Sequence, residues 1–205
     1  EIDHDFTARH VKWLVKHGAT GIVTNGSLGE GATLTTAEKE ALWKTCVNAV
    51  GDKVPVIAAI ASMSTKEGID LAKLAEKAGC KGLMVLPPYV HKGDWREMKA
   101  HISAIINATG LSCMLYNNPI AYGVDFTPRQ IVELADEHSN LNAVKESSGD
   151  VRRISHNMMP GLLTKYGLYE ALLDLFEQLD EMKGLHAKVE IEGEQARLRE
   201  NKEIM

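Results

Sequence analysis

Cysteine is scarce in this sequence of 205 residues: there are three, at Cys46, Cys80 and Cys113, far apart and each inside an apolar stretch. An odd set of isolated thiols excludes a disulfide framework and is expected of buried, free cysteines. Neither they nor the eight histidines form a Cys-x-x-Cys or His-x-x-x-His pair, so the spacing that chelates a metal ion is missing. Positive charge is also short. With 23 Lys and Arg against 28 Asp and Glu, the net charge is −5 and the pI about 5.9, which leaves no basic footprint for nucleic acid or an anionic lipid surface. No apolar run approaches the roughly 20 residues of a membrane span. Residues 1–5 lack the basic and apolar regions of a signal peptide. These absences predict a cytoplasmic protein with no metal, no membrane and no nucleic-acid partner. Gly26, Gly29 and Gly31 run in the wrong order for a dinucleotide-binding turn, and no Gly-Lys-Ser/Thr phosphate loop occurs, so a nucleotide cofactor is not expected either.

What is present is a rhythm. Apolar residues make up 44% of the chain and charged residues 25%, the proportions of an ordinary globular domain. Short apolar runs at 19–25, 54–60, 82–87, 111–116 and 141–145 alternate with amphipathic stretches near 36–50, 65–78, 94–108 and 128–138. In the second of these stretches Leu71, Leu74, Ala75 and Ala78 recur at helical spacing. Thr35 with Glu38, Ser64 with Glu67, Asp94 with Glu97 and Thr127 with Gln130 have the spacing of a capping box, and Pro128 stands at a first helical position. A repeat of roughly 30 residues is one βαβ unit, so the strands should be parallel. Their apolar character suits a sheet covered on both faces. Periodicity leaves two architectures open, a (β/α)8 barrel or an open doubly wound sheet. Beyond about Ser155 the rhythm stops. Tyr169, Leu172, Leu173, Phe176 and Leu179 there predict an amphipathic helix followed by a charged tail, which divides the chain into residues 1–154 and a helical segment 155–205.

In parallel α/β folds reactive groups gather where the strands end, because the following loops converge on one rim. The first strand runs into Asn25-Gly26-Ser27-Leu28-Gly29-Glu30, a small-residue turn suited to pointing amides at an anion. The third ends at Pro87-Pro88-Tyr89 and the fourth at Tyr116-Asn117-Asn118-Pro119. Lys145 closes the fifth, after Ala143 and Val144. A lysine desolvated at such a place gives up its proton more readily than in water, and the neutral amine attacks carbonyls. Each of these features also has a bland reading: a plain turn, an aromatic packed on the rim, a lysine reaching for water.

Taken together, the segments resemble a known family. Gly26-Ser27-Leu28-Gly29-Glu30 with Ala32-Thr33-Leu34 is similar to the Gly-Thr-Thr-Gly-Glu signature of the dihydrodipicolinate synthase and N-acetylneuraminate lyase superfamily. Tyr116-Asn117-Asn118-Pro119 resembles its Tyr-Asn-x-Pro motif, and Val144-Lys145-Glu146-Ser147-Ser148-Gly149-Asp150 its Schiff-base lysine segment. The resemblance runs from residue 3 to about residue 154. It implies a (β/α)8 barrel, with its first and last βα units missing or unrecognisable here, and a homotetramer or dimer acting on pyruvate or longer 2-oxo acids without metal or other cofactor. It further implies Lys145 as the Schiff-base nucleophile, Tyr116 as proton shuttle, and Ser27 as part of the relay, hydrogen-bonded to Tyr116. Ser27, Leu28, Gly29 and Tyr89 become the expected substrate-binding residues. Leu28 replaces the signature's second threonine, Val90 the synthase branch's cross-subunit tyrosine, and Ala121 its carboxylate-gripping arginine. These departures point to a dehydratase, deaminase or aldolase of sugar-acid or hydroxyproline-derived 2-oxo acids. The thinned relay and incomplete barrel leave a catalytically inactive binding or structural protein as the alternative.

Overall fold

The structure is a computed structural model that describes residues 2–147. The helix expected from Tyr169 to Leu179, the charged tail and the segment Ser148-Gly149-Asp150 lie outside the described residues. Five strands, β1 (Ile22–Thr24), β2 (Val56–Ile60), β3 (Gly82–Val85), β4 (Ser112–Asn117) and β5 (Leu141–Glu146), form one sheet. All neighbours are parallel, and the spatial order is the chain order. A doubly wound sheet reverses direction at a switch point and carries helices on both faces. Here the order never reverses. Helices α2 (Thr36–Val50), α3 (Thr65–Lys77), α4 (Trp95–Ile106) and α6 (Pro128–Glu137) follow β1 to β4 in turn. All four send residues into one apolar layer with Ile60, Val85, Cys113 and Leu115. This is the winding of a (β/α) barrel, which settles the choice that periodicity left open.

Three of the four capping boxes form as the sequence predicts, at Thr35, Asp94 and Thr127. The fourth does not. Ser64 makes no side-chain cap; the Ser62 hydroxyl donates instead to the Ser64 carbonyl at 2.8 Å and to Glu67 Oε2 at 2.6 Å, satisfying the acid two residues earlier in the chain. The sequence reading also passed over a helix before β1, α1 (His4–Lys16), which Asp3 caps by accepting from the Phe6 amide. Lys99 ties α4 to α6 through Glu133 and Glu137, each at 2.6 Å. The three thiols are buried and free. Burial pushes Cys46 and Cys113 up to about 11 and, with a contribution from Cys46, Cys80 up to about 12.

The second face of the sheet departs from expectation. A smaller cluster of Ala59, Met84, Leu86 and Tyr116 lies there, packed by Ile57, Met114 and Tyr122, but Val23 is 46% exposed and Ala143 is exposed. Closing a barrel covers this face with the sheet itself, and five strands do not close. Among the described residues the sheet is therefore fully covered on one face alone.

Candidate active site

Parallel pairing brings every strand's carboxyl end to one rim, and the register decides which side chains meet there. Tyr116 pairs with Lys145, and Asn117 with Glu146. Side chains alternate along a strand, so Tyr116 and Lys145 share the second face, as Ala59 and Met84 do. The Lys145 amine stands 4.1 Å from the centroid of the Tyr116 ring, a cation–π distance. Lys145 is exposed rather than desolvated as the sequence reading expected, because its strand is the last in the described sheet and has one neighbour.

Tyr116 is 5% exposed. Burial alone pushes its phenol up, but Ser147 at 3.5 Å, the Asn118 amide at 2.9 Å, the Lys145 charge and the Ser27 hydroxyl outweigh it. The net effect holds the phenol below its ordinary value of 10.0, which suits a group that must take and return a proton.

The β1 turn is shaped by its backbone. Asn25 and Glu30 adopt left-handed conformations, with φ of 58° and 54°. At Gly31 a Cβ would come within 1.9 Å of the Asn25 carbonyl oxygen, so only glycine fits. Residues Ser27–Gly29 make a 3₁₀ turn that the Gly29 amide closes by donating to the Gly26 carbonyl at 2.9 Å. That amide is engaged within the turn, in contrast to the free anion donor expected of Gly29. The Leu28 side chain is fully exposed. The Ser27 hydroxyl forms its hydrogen bond with the Tyr122 hydroxyl, where the sequence reading had paired it with Tyr116; Tyr116 feels it as the weakest of the four influences that lower its pKa. Tyr122 sits at the end of the short helix α5 (Pro119–Tyr122). Its ring centroid is 5.9 Å from those of both Tyr116 and Tyr89. Lys145, Tyr116, Ser27 and Tyr89 are thus at one rim, joined through Tyr122.

Three residues beyond the sequence-based set belong to this rim. Asn118 donates to the Tyr116 hydroxyl and accepts from the Ala121 amide at 3.2 Å, holding the phenol and the start of α5 together. Asn117, with 0% exposure, donates to Asp125 and Glu146, both at 2.8 Å, and accepts from the Phe126 amide at 3.1 Å. It locks the ends of β4 and β5 together beneath Lys145. Asn25 is 3% exposed, and neither polar atom of its side chain has a partner among the described residues. Such buried orphans are rare in proteins. The Tyr-Asn-x-Pro motif was a signal for Asn117; nothing local marked the others. Among the described residues no group of three His, Cys, Asp or Glu is arranged to hold a metal ion, and no helix is long and apolar enough to cross a membrane.

Comparison with known proteins gives the site its context. The model of the dihydrodipicolinate synthetase family matches residues 1–174, continuing past Ile154, where the motif resemblance stops. A 4-hydroxy-tetrahydrodipicolinate synthase from Acidothermus cellulolyticus is 42% identical over 149 residues, 73% of this chain and 48% of that protein. A probable 5-dehydro-4-deoxyglucarate dehydratase from Pseudarthrobacter chlorophenolicus is 38% identical over 151 residues, 74% of this chain and 48% of that protein. The chain spans about half the length of the curated relatives it matches. Among solved structures, a prophage protein of the dihydrodipicolinic acid synthase family from E. coli K12, in complex with pyruvate, superposes with a TM-score of 0.74 at 28% identity, covering 85% of this chain and 62% of that one.

Proposed function

This chain belongs to the dihydrodipicolinate synthetase family, and on that premise we propose that it is a lyase that captures a 2-oxo acid as a Schiff base on Lys145. The observation that carries the reading is the Lys145 amine poised 4.1 Å over the ring of Tyr116, on neighbouring strands and in register. The neutral amine adds to the C2 carbonyl, water leaves, and the resulting iminium draws electrons from C3. Tyr116 takes the C3 proton, since its lowered pKa makes the phenolate accessible. The enamine then expels a group from C4 or breaks a carbon–carbon bond. Tyr89 and the turn at Ser27 and Leu28 border the space for the substrate.

Within the family we favour a dehydratase, deaminase or aldolase of a 2-oxo acid with a single carboxylate. Ala121 offers no cation to a second carboxylate, and a relative 38% identical carries a dehydratase name. A homodimer or homotetramer in the cytoplasm belongs to the same reading, supported by Leu28, Val90 and Ile120 standing exposed on the rim loops. The exposure of Lys145 favours one rival, an inactive family member that binds without turnover. Borohydride reduction in the presence of pyruvate separates the two. A stable adduct on the peptide holding Lys145, lost in Lys145→Ala, is expected; no adduct, or one that survives the substitution, overturns the Schiff-base reading.

A further inference from the structure

Ser27 has its hydrogen-bond partner 95 residues away, in Tyr122. Tyr122 is half-buried. One edge of its ring meets the Tyr116 ring at an interplanar angle of 81°, and on another side it leans on Tyr89. Its placement is over-determined. Asn118 caps α5 through its side-chain oxygen, its carbonyl accepts the Tyr122 amide at 3.0 Å, and its Nδ2 grips the Tyr116 hydroxyl. Gly123 stops the helix directly after Tyr122 by turning left-handed, with φ of 66°. One residue, Asn118, therefore fixes both phenols, while Ser27 bridges from the opposite side of the rim.

Resting on the Schiff-base reading above, we propose that Tyr122 is a positioning residue for proton transfer, whose hydroxyl orients Ser27 toward Tyr116 and links that pair to solvent. In the forward step the C3–H bond of the iminium breaks and its proton goes to the Tyr116 oxygen. The electron pair forms C2=C3, and the iminium π pair returns to nitrogen. Tyr116 passes a proton to Ser27, Ser27 passes its own to Tyr122, and Tyr122 releases one to water. Each hydroxyl gives one proton and receives one, so no other reactant is needed. Reversal in heavy water returns a deuteron to C3.

The test uses pyruvate as probe on the full chain, with two readouts: borohydride trapping on Lys145, and exchange of the methyl protons of pyruvate in D2O followed by proton NMR. Tyr122→Phe keeps the ring against Tyr116 and Tyr89 and removes the hydroxyl alone. Trapping is expected within about twofold of the unaltered chain, while exchange falls by at least about tenfold and changes its pH profile. Ser27→Ala should give a similar fall, and the double variant little more, because groups in one chain do not add independently. Unchanged exchange in Tyr122→Phe overturns the proposal, as does an equal fall in trapping and exchange, which marks a merely structural role. Failure of the unaltered chain to be trapped at all is a different result: it removes the Schiff-base reading on which the relay rests.

Discussion

Ile60, Val85 and Leu115 face the helices and are completely buried, whereas Ala59, Met84 and Tyr116, their immediate neighbours on the same three strands, face the other way. The two faces arise from one period-2 alternation, yet they solve different problems. On the helix side, shape decides: aliphatic residues from β2, β3 and β4 fill the space left by Trp43, Leu71, Ile102 and Leu134. The second face begins as an apolar layer and ends, at the carboxyl rim, in a phenol, an amine and a set of hydroxyls. Stability is concentrated on one face and chemistry on the other, so substitutions should separate by face.

The largest expected effect lies on the helix side. Leu115→Ala removes a side chain with 0% exposure from the middle of the layer. Loss of transfer energy together with the cavity left behind should lower stability by about 2–5 kcal/mol, measured as a shift of the urea midpoint at constant slope. Because Leu115 points away from Lys145, the fraction of remaining folded protein that borohydride traps with pyruvate should not change. A loss of trapping out of proportion to the loss of folded protein would show that the faces are coupled.

The same contrast explains which parts of the molecule were legible in the sequence. Helices α2, α3, α4 and α6 announce themselves because each lays a broad apolar stripe on the sheet, and three begin with reciprocal caps written within four residues. Helix α1 escaped because it buries only Val11 fully; Phe6, His10, Trp13 and His17 run along it as a ladder of rings, with Phe6 and Trp13 more than half exposed. At the rim, motifs pointed to Lys145, Tyr116 and Ser27, whose spacing along the chain a family resemblance preserves. The pairing of Ser27 with Tyr122 and the grip of Asn117 on Asp125 and Glu146 depend on loop paths, which no local period encodes. Desolvation of Lys145 was not legible at all, since it depends on what covers the second face rather than on the residues of β5.

A smaller effect should appear on the rim as a displacement in pH. Hydrogen bonds donated to the Tyr116 oxygen favour its charged form, and Ser147 contributes the largest lowering influence. Ser147→Ala should therefore let the phenol rise toward 10.0, moving the alkaline limb of the pyruvate proton-exchange profile to higher pH. The sign for stability follows. A depressed folded pKa contributes stability that is present above the ordinary value and is lost as the pH falls through the folded one. The variant should thus lose stability mainly above pH 10, with little change near neutrality. A shift of the exchange profile to lower pH would contradict the assignment of Ser147 as a donor.

The smallest effect is expected at Val23, where the contrast between the faces is drawn within a single three-residue strand. Ile22 and Thr24 are 7% exposed and point toward the helices, while Val23, in register with Ile57, is 46% exposed on the second face. A side chain with nearly half its surface in water has little burial to lose. Val23→Ala should therefore change the stability of the 205-residue chain by no more than about 0.5 kcal/mol, again read from the urea midpoint. Buried valines cost more, because removing their methyl groups leaves a cavity. A loss above about 1 kcal/mol would mean that something covers Val23 in solution, another part of the chain or a second copy. Such a cover would also reach toward Lys145, on the same face of the sheet, and would supply the desolvation that the exposed amine otherwise lacks.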